Sequence, residues 1–223
     1  MITFDFLAVL AEWRLLLTGV AWTLGLTAIA ALLGVGLGVA CAWARLDGPG
    51  PLRWLATGYV EAIRNTPFIV QLFFVFFGLP AAGVKLTPET ASVIAMVVNL
   101  GAYAGEIVRG GIASTSRGQT EAGLSLALSR PQVFLHVLLP PALRRVWPSM
   151  VSQIIIVMLG SAVCGQIATE ELSYAANLIQ SRNFRAFESF IVATAIYLLL
   201  AIALRSLLNW LGPRFLFGGH RRG

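Results

Sequence analysis

The segment that indicates the fold lies at residues 121–140 and reads EAGLSLALSRPQVFLHVLLP. Thr120 is expected to cap a short helix that starts at Glu121. Ser129 and Gln132 enclose a proline in the pattern of a second helix start, a capping box. This second helix carries apolar residues at helical spacing and is expected to end at the prolines at positions 140 and 141. Two short helices between strongly apolar stretches predict a surface to which another protein binds.

The composition is that of an integral membrane protein. The chain has 223 residues, of which 57% are hydrophobic and 12% charged, with a mean hydropathy of +0.80. A soluble domain carries about twice that share of charged residues. Charge-free runs occupy residues 15–44, 65–84, 90–105, 146–169 and 189–204. Since a spanning helix needs about 20 apolar residues and charged ends can reach the interface, the sequence predicts an all-α polytopic protein with five transmembrane helices.

The distribution of basic residues predicts the orientation. With the N-terminus outside, twelve of the sixteen Lys and Arg residues fall on the cytoplasmic side, as the positive-inside rule requires. The C-terminus is then cytoplasmic, and topology accounts for the net charge of +6 without nucleic acid. Asp5 and Glu12 stand where a cleavable leader would carry basic residues, so the first apolar stretch is expected to be retained.

The sequence lacks the motifs of catalysis, metal binding and nucleotide binding. Cys41 and Cys164 both fall in apolar runs, where cysteine behaves as a small hydrophobe. Catalytic triads, metal-ligand clusters and the phosphate-binding pattern G-x-x-x-x-G-K-[ST] are absent. We therefore expect no catalytic residue, no metal site and no cofactor bound by this chain. Active transport would need energy from another subunit.

Polar side chains within the apolar runs are candidates for a substrate path. Asn99, Tyr103 and Glu106 recur at spacings of four and three, so they form one stripe on the third predicted helix. In lipid such a stripe must face protein or water. Interhelical hydrogen bonding and the lining of a path are equally compatible with it. Gln153 and Ser161 on the fourth helix join Asn99 and Tyr103 as candidate path residues.

Charged pairs mark the inner ends of two predicted helices. Glu61 and Arg64 are three residues apart, and Glu106 and Arg109 repeat that spacing, so each pair shares a helix face. Pro67 is expected to tilt or kink the second helix near its inner end. These five residues are candidates for a structural or gating role.

Three glycines, at positions 34, 36 and 38, interrupt the first predicted helix. Close packing of a neighbouring helix on these small residues is the favoured interpretation, and a hinge is the alternative.

Four segments in order resemble the permeases of ABC transporters. In the EAA loop of that family, E-A-A is followed by three residues, then Gly, then about nine residues, and then I-x-L-P. Here the matching residues are Glu121-Ala122-Gly123, Ala127 and Val137-Leu138-Leu139-Pro140. Residues 60–71 (VEAIRNTPFIVQ), 102–112 (AYAGEIVRGGI) and 171–176 (ELSYAA) resemble three further family segments. Together they resemble the subfamily that imports polar amino acids such as histidine, glutamate and glutamine.

The resemblance implies a type I ABC importer permease fold, with residues 1–223 as one transmembrane domain and residues 114–145 as its cytoplasmic coupling loop. It implies location in the bacterial inner membrane and partnership with a cytoplasmic ATPase dimer, a second permease, identical or homologous, and a periplasmic or surface amino-acid-binding protein. ATP and Mg²⁺ would be bound by the ATPase. Residues implied to contact the ATPase are Glu121, Ala122, Gly123, Ala127, Leu128 and Ser129.

Two departures from the family pattern bear on function. Gly123 stands where the EAA pattern has alanine, and Ala127 stands where it has glycine. Both residues are small, so the helix is expected to stay slim and able to dock. In the fourth helix, residues 158–162 read MLGSA where relatives often have a charged K-D-T-S-L-like segment. The missing carboxylate disfavours a basic amino acid as substrate of this subunit.

Two other functions fit the composition. A secondary transporter or channel would use the Asn99 stripe as its path, but internal repeats typical of such proteins are not evident. A membrane scaffold would use the 121–140 segment for binding and leave the polar residues within the bilayer without a role.

Overall fold

The computed structural model describes residues 4–216, and over that range the chain forms helices and connections without a β-strand. The α-helices are α1 (Phe6–Leu10), α2 (Trp13–Asp47), α3 (Gly50–Arg64), α4 (Phe68–Phe73), α5 (Leu79–Ala81), α6 (Pro88–Ala113), α7 (Arg117–Ser125), α8 (Arg130–Gln132), α9 (Leu139–Gly160), α10 (Leu172–Asn183) and α11 (Ala186–Leu211). Three π-helical segments, Phe74–Gly78, Val133–Leu138 and Gly212–Leu216, and the 3₁₀ segment Ser161–Ile167 continue some of them.

Four helical stretches in the described part are long and apolar enough to cross a membrane. A fifth span results when the broken pair of Gly50–Arg64 and Phe68–Ala81 is counted as one. The all-α polytopic fold is therefore confirmed, with five spans by this count. Helix α3 stops at Arg64 and α4 starts at Phe68, so the second span is broken around Pro67, where the sequence predicted a tilt or kink.

The chain divides into two compact units. The first comprises Met1–Ala30, Phe68–Met96 and Ile155–Leu204, and the second comprises Ala31–Pro67, Val97–Ile154 and Arg205–Gly223. The assignment of residues 1–223 to a single domain stays a prediction.

The first unit is organised around α10, a helix that the sequence analysis did not predict. Leu172, Ala176 and Ile179 of α10 are buried with residues of α1, α2 and α11: Val9, Leu16 and Ala193. A Cβ on Gly19 would lie 2.8 Å from the Leu172 Cα, so only glycine allows α2 to approach this closely. Glu171 caps α10 while fully buried, accepting the Tyr174 backbone N–H at 2.8 Å and the Ser173 hydroxyl at 2.6 Å.

The second unit contains the packing of α2 on α6. A Cβ added at Gly38 would lie 2.6 Å from the Ala104 Cβ, and one at Gly34 would lie 2.9 Å from the Leu100 Cβ. A Cβ at Gly36 would meet none of the described atoms within 4 Å. Close packing, the interpretation favoured from the sequence, therefore holds for two of the three glycines.

The segment at 114–145 differs from the prediction at two points. The first short helix starts at Arg117, after Ser116, and not at Glu121 after Thr120. The reason is that Ser116 already has the extended geometry of an N-cap, and residues 117–120 contain no proline that would break the first turn. Thr120 therefore lies inside the helix.

The second point concerns Pro140 and Pro141, which do not end the second helix. Residues 130–160 run without a break through α8, the π-helical segment Val133–Leu138 and α9. Proline clashes with the carbonyl four residues earlier, which for both prolines lies in the π-helical segment. The wider π turn accommodates the missing N–H groups, so the helix continues. The predicted capping box is confirmed: the Ser129 backbone N–H donates to Gln132 Oε1 at 2.8 Å.

Candidate coupling surface and charge cluster

The segment resembling the EAA loop forms a helical hairpin within the second unit. Helix α7 packs on the π-helical segment Val133–Leu138, and Gly123 is buried at the contact. A Cβ at Gly123 would lie 3.0 Å from Val133 Cγ2 and 3.6 Å from Val137 Cγ2. The small residue therefore serves packing inside the hairpin, and not a slim outer surface as the sequence suggested.

Ala127 lies outside α7 in a left-handed conformation, with φ of 60°. The backbone N–H of Leu128 donates to the Gly123 carbonyl at 3.3 Å, and that of Ala127 donates to the Leu124 carbonyl at 2.9 Å. This pair of bonds is the Schellman ending of a helix, whose left-handed residue is usually glycine. The position of the glycine in the family pattern is thus a helix-ending position. Ala127 therefore does not keep helix α7 slim, as the sequence analysis expected.

The outer side of the hairpin is formed by other residues. Glu121, Ala122 and Ser129 are exposed, and Leu128 is half-buried. Leu126 is 76% exposed and Leu124 is also exposed. The sequence analysis did not single out these two leucines; the signal was two large apolar residues within a segment of small and polar ones.

A charge cluster lies elsewhere in the second unit, centred on Glu106 of α6. Arg45 Nη1 donates to Glu106 Oε2 at 2.7 Å, Arg109 forms a bidentate pair with the same carboxylate, and Arg64 approaches it at 3.9 Å. Arg45 also lies 3.9 Å from Glu61. The cluster therefore joins α2, α3 and α6 through one carboxylate.

The structure changes the predicted pairing within this cluster. Glu106 and Arg109 pair as expected, whereas Arg64 turns to Glu106 and lies over the Tyr103 ring at 5.7 Å. The partner of Glu61 is Arg45, which the sequence analysis did not single out. No spacing rule links Arg45 to Glu106, because they are 61 residues apart.

The candidate path residues are divided between the two units. Asn99, Tyr103 and Gln153 belong to the second unit, where Asn99 is buried and the other two are half-buried. Ser161 belongs to the first unit, is fully buried and donates its hydroxyl to the Met158 carbonyl at 2.7 Å. Their role in a path stays a prediction.

Comparison with known proteins decides the family. Residues 34–217 match the family described as binding-protein-dependent transport system inner membrane component. The chain belongs to this family. It is a permease, a multi-pass inner-membrane component of an ABC importer, and the ATPase is a separate subunit. The predicted membership of ABC permeases and the prediction of a transport component rather than an enzyme are confirmed.

Relatives of the permease match it over most of their length. It is 38% identical over 178 residues to the probable glutamine ABC transporter permease protein GlnM of Bacillus subtilis, covering 80% of this chain and 82% of the relative. It is 35% identical over 213 residues to the glutamine transport system permease protein GlnP of Escherichia coli K12, covering 95% and 97%. A solved structure described as an amino acid ABC transporter with histidines is 33% identical, with a TM-score of 0.85 and coverage of 96% and 100%.

Proposed function

We propose that this permease is the transmembrane subunit of an ATP-driven importer of polar amino acids. The observation that carries the proposal is the hairpin of α7, which presents Glu121 and Leu126 outward while Gly123 holds it against the segment that leads into α9. The names of GlnM and GlnP support the substrate class.

The hairpin has the properties needed to transmit movement. Helix α7 packs on residues that continue without a break into α9, so a force applied at Glu121 reaches a membrane helix through packed side chains. Closure of two ATPase subunits would become a rigid-body movement of this helix. Contact with the ATPase is assigned to the exposed residues Glu121, Ala122 and Ser129 and to the half-buried Leu128, with Gly123 and Ala127 shaping the hairpin.

The partners and the orientation follow from this role. A cytoplasmic ATPase dimer would bind ATP and Mg²⁺, a binding protein would deliver the amino acid, and a second permease, identical or homologous, would complete the path. The N-terminus would lie outside and the C-terminus in the cytoplasm, because the Lys and Arg distribution favours that topology. In this orientation the hairpin faces the ATPase.

The charge cluster is proposed as the element that holds α2, α3 and α6 together during transport. Glu61, Arg64, Glu106 and Arg109 would act with Arg45 as a set of ion pairs that can exchange partners. Pro67, just beyond α3, would fix where that helix ends.

Substrate contact is assigned to Asn99, Tyr103, Gln153 and Ser161, whose polar groups can bind an ammonium or a carboxylate. The uncharged residues 158–162 disfavour a basic amino acid in this subunit. Replacing Asn99 with alanine should lower amino-acid uptake while the ATPase still copurifies, because the side chain is remote from α7 in sequence. Equal loss of both would assign Asn99 to folding instead.

The coupling role is tested by Glu121→Lys, with Glu170→Lys as the matched charge reversal at an exposed residue of the first unit. We expect Glu121→Lys to lower both glutamine uptake and copurification of the ATPase, since it reverses a charge on the docking surface. Glu170→Lys should leave copurification intact. Unchanged uptake and unchanged copurification in Glu121→Lys would refute the coupling role.

A further inference from the structure

We propose that the second unit carries a binding site for an anionic phospholipid, built from two apolar grooves beside Trp43 and from the guanidinium group of Arg53. The site lies at the end of α2 and the start of α3, and its second groove extends to Phe134 and Leu135 of the segment on which α7 packs.

The two grooves share Ala40 and Trp43 among their lining residues. One groove, of about 350 Å³, lies between α2 and the start of α3 and is lined also by Leu52 and Leu55. The other, of about 290 Å³, is lined also by Phe134. Both are lined almost wholly by apolar side chains. Two apolar grooves that share one tryptophan match the two acyl chains of a single phospholipid.

The indole ring of Trp43 borders both grooves. Its indole Nε1–H is buried and has no hydrogen-bond partner among the described residues. A buried donor without a partner costs free energy and calls for an explanation. Tryptophan concentrates where membrane meets water, with its ring in the apolar layer and its N–H directed to polar groups. An ester carbonyl of a phospholipid bound in the grooves is the acceptor that we assign to the N–H of Trp43.

Arg53 provides charge complementarity for a phosphate. Its Nη2 lies 3.3 Å from the Gly48 carbonyl and 3.4 Å from the Leu46 carbonyl, at the end of α2. Within residues 4–216 no acidic partner lies within ion-pair distance of Arg53, and its Nε and Nη1 groups have donors left to bind an anion. Asp47, the acidic residue at the end of α2, is paired with Arg130, whose Nη1 lies 3.2 Å from Asp47 Oδ1. The positive charge thus belongs to the residue that follows Leu52, a lining residue of the larger groove, and it reaches the carbonyl groups at the end of α2.

Helix α3, the first half of the broken span, exposes large apolar side chains. Trp54 is 76% exposed, and Leu52 and Leu55 are exposed next to it. Helices that expose tryptophan and leucine together with arginine are typical of segments that contact anionic lipids. The apolar residues of α3 and the free charge of Arg53 therefore favour a membrane lipid over a soluble ligand as the occupant.

Native mass spectrometry of the purified full chain in detergent tests the site. The protein is titrated separately with dioleoyl phosphatidylglycerol, which is anionic, and dioleoyl phosphatidylethanolamine, which is zwitterionic. Arg53→Gln should weaken phosphatidylglycerol binding about fivefold, the value of one arginine at a charged lipid surface. It should weaken phosphatidylethanolamine binding less, by about twofold, because the ammonium group of that lipid offsets the charge of its phosphate.

Trp43→Phe separates the two parts of the site, because it keeps an aromatic ring and removes the N–H. Both lipids carry the ester carbonyl, so both should bind about fivefold more weakly. The matched controls are Arg182→Gln and Trp13→Phe, at exposed residues of the first unit, and both should bind like wild type. Circular dichroism and the thermal midpoint establish that each variant is folded.

Two results would overturn the proposal. One is wild-type affinity for phosphatidylglycerol in Arg53→Gln, an exposed position where failure to fold is not expected. The other is an equal loss in Arg53→Gln and Arg182→Gln, which would mean that the lipid binds by general charge. If a second copy of the chain covers the grooves, no lipid adduct will depend on Arg53. That result would also overturn the proposal.

Discussion

Replacing Gly38 with alanine tests the packing of α2 on α6, and Gly36 offers a control two residues away on the same helix. The added Cβ at position 38 would lie 2.6 Å from the Ala104 Cβ and 2.7 Å from the Gly105 nitrogen. Carbon atoms pack at about 3.5–4.0 Å, so the helices must separate by about 1 Å or more. At position 36 the added Cβ meets none of the described atoms within 4 Å.

The magnitudes follow from these distances. Overpacking costs about 1–3 kcal/mol, and contact with backbone atoms, which cannot turn aside, puts Gly38→Ala near the upper value. Alanine regains about 1 kcal/mol of helix propensity at either position. Gly38→Ala should therefore lose about 2 kcal/mol of unfolding free energy, and Gly36→Ala should gain about 1 kcal/mol.

Thermal unfolding of the two purified variants in the same detergent, followed by circular dichroism, measures the difference. About 3 kcal/mol between them corresponds to thermal midpoints roughly 6–12 °C apart for a chain of this size. The reasoning would be refuted by midpoints within about 2 °C of each other, or by Gly38→Ala melting above Gly36→Ala.

Two further predictions concern single residues of the second unit. Glu106→Gln should destabilise the permease by about 3 kcal/mol, because it leaves three arginines around a largely buried position without their shared carboxylate. Glu61→Gln, at a side chain 55% exposed, should cost only about 0–1 kcal/mol. Equal thermal midpoints of the two variants would contradict the central place of Glu106. Ala127→Gly should preserve copurification of the ATPase, because glycine suits the left-handed conformation. Ala127→Val should destabilise this conformation by about 1–2 kcal/mol and lower copurification. A pulldown in which the two variants behave alike would rule out a conformational role for position 127.

Local patterns were predicted from the sequence where neighbouring residues alone specify the structure. Ser129 and Gln132 form the expected capping box, because both groups lie within one helical turn. The same kind of rule gave the wrong start for α7, since Ser116 and Thr120 are both able to cap a helix and the sequence does not rank them. Pro140 and Pro141 were taken as a helix end because local rules do not include a π-helical turn upstream.

The candidate site was predicted in part. The hairpin, Glu106 and Arg109 were identified from spacing, but Arg45 was not, because its contact with Glu106 joins residues distant in the chain. The burial of the Glu171 carboxylate was likewise not predicted, since a cap on a helix of twelve residues is not visible in hydropathy. Leu126 was overlooked because exposure is a property of the folded hairpin.

By itself, the sequence determined the class of protein, the number of spans and the family, because these depend on composition and on motifs read along the chain. The tertiary structure alone decided which glycines of α2 are packing contacts, which arginines surround Glu106, and that Ala127 ends a helix. The physical reason is common to all three. Each depends on the approach of segments, or on a backbone angle, that local residue preferences permit but do not specify, and packing selects one arrangement from those permitted.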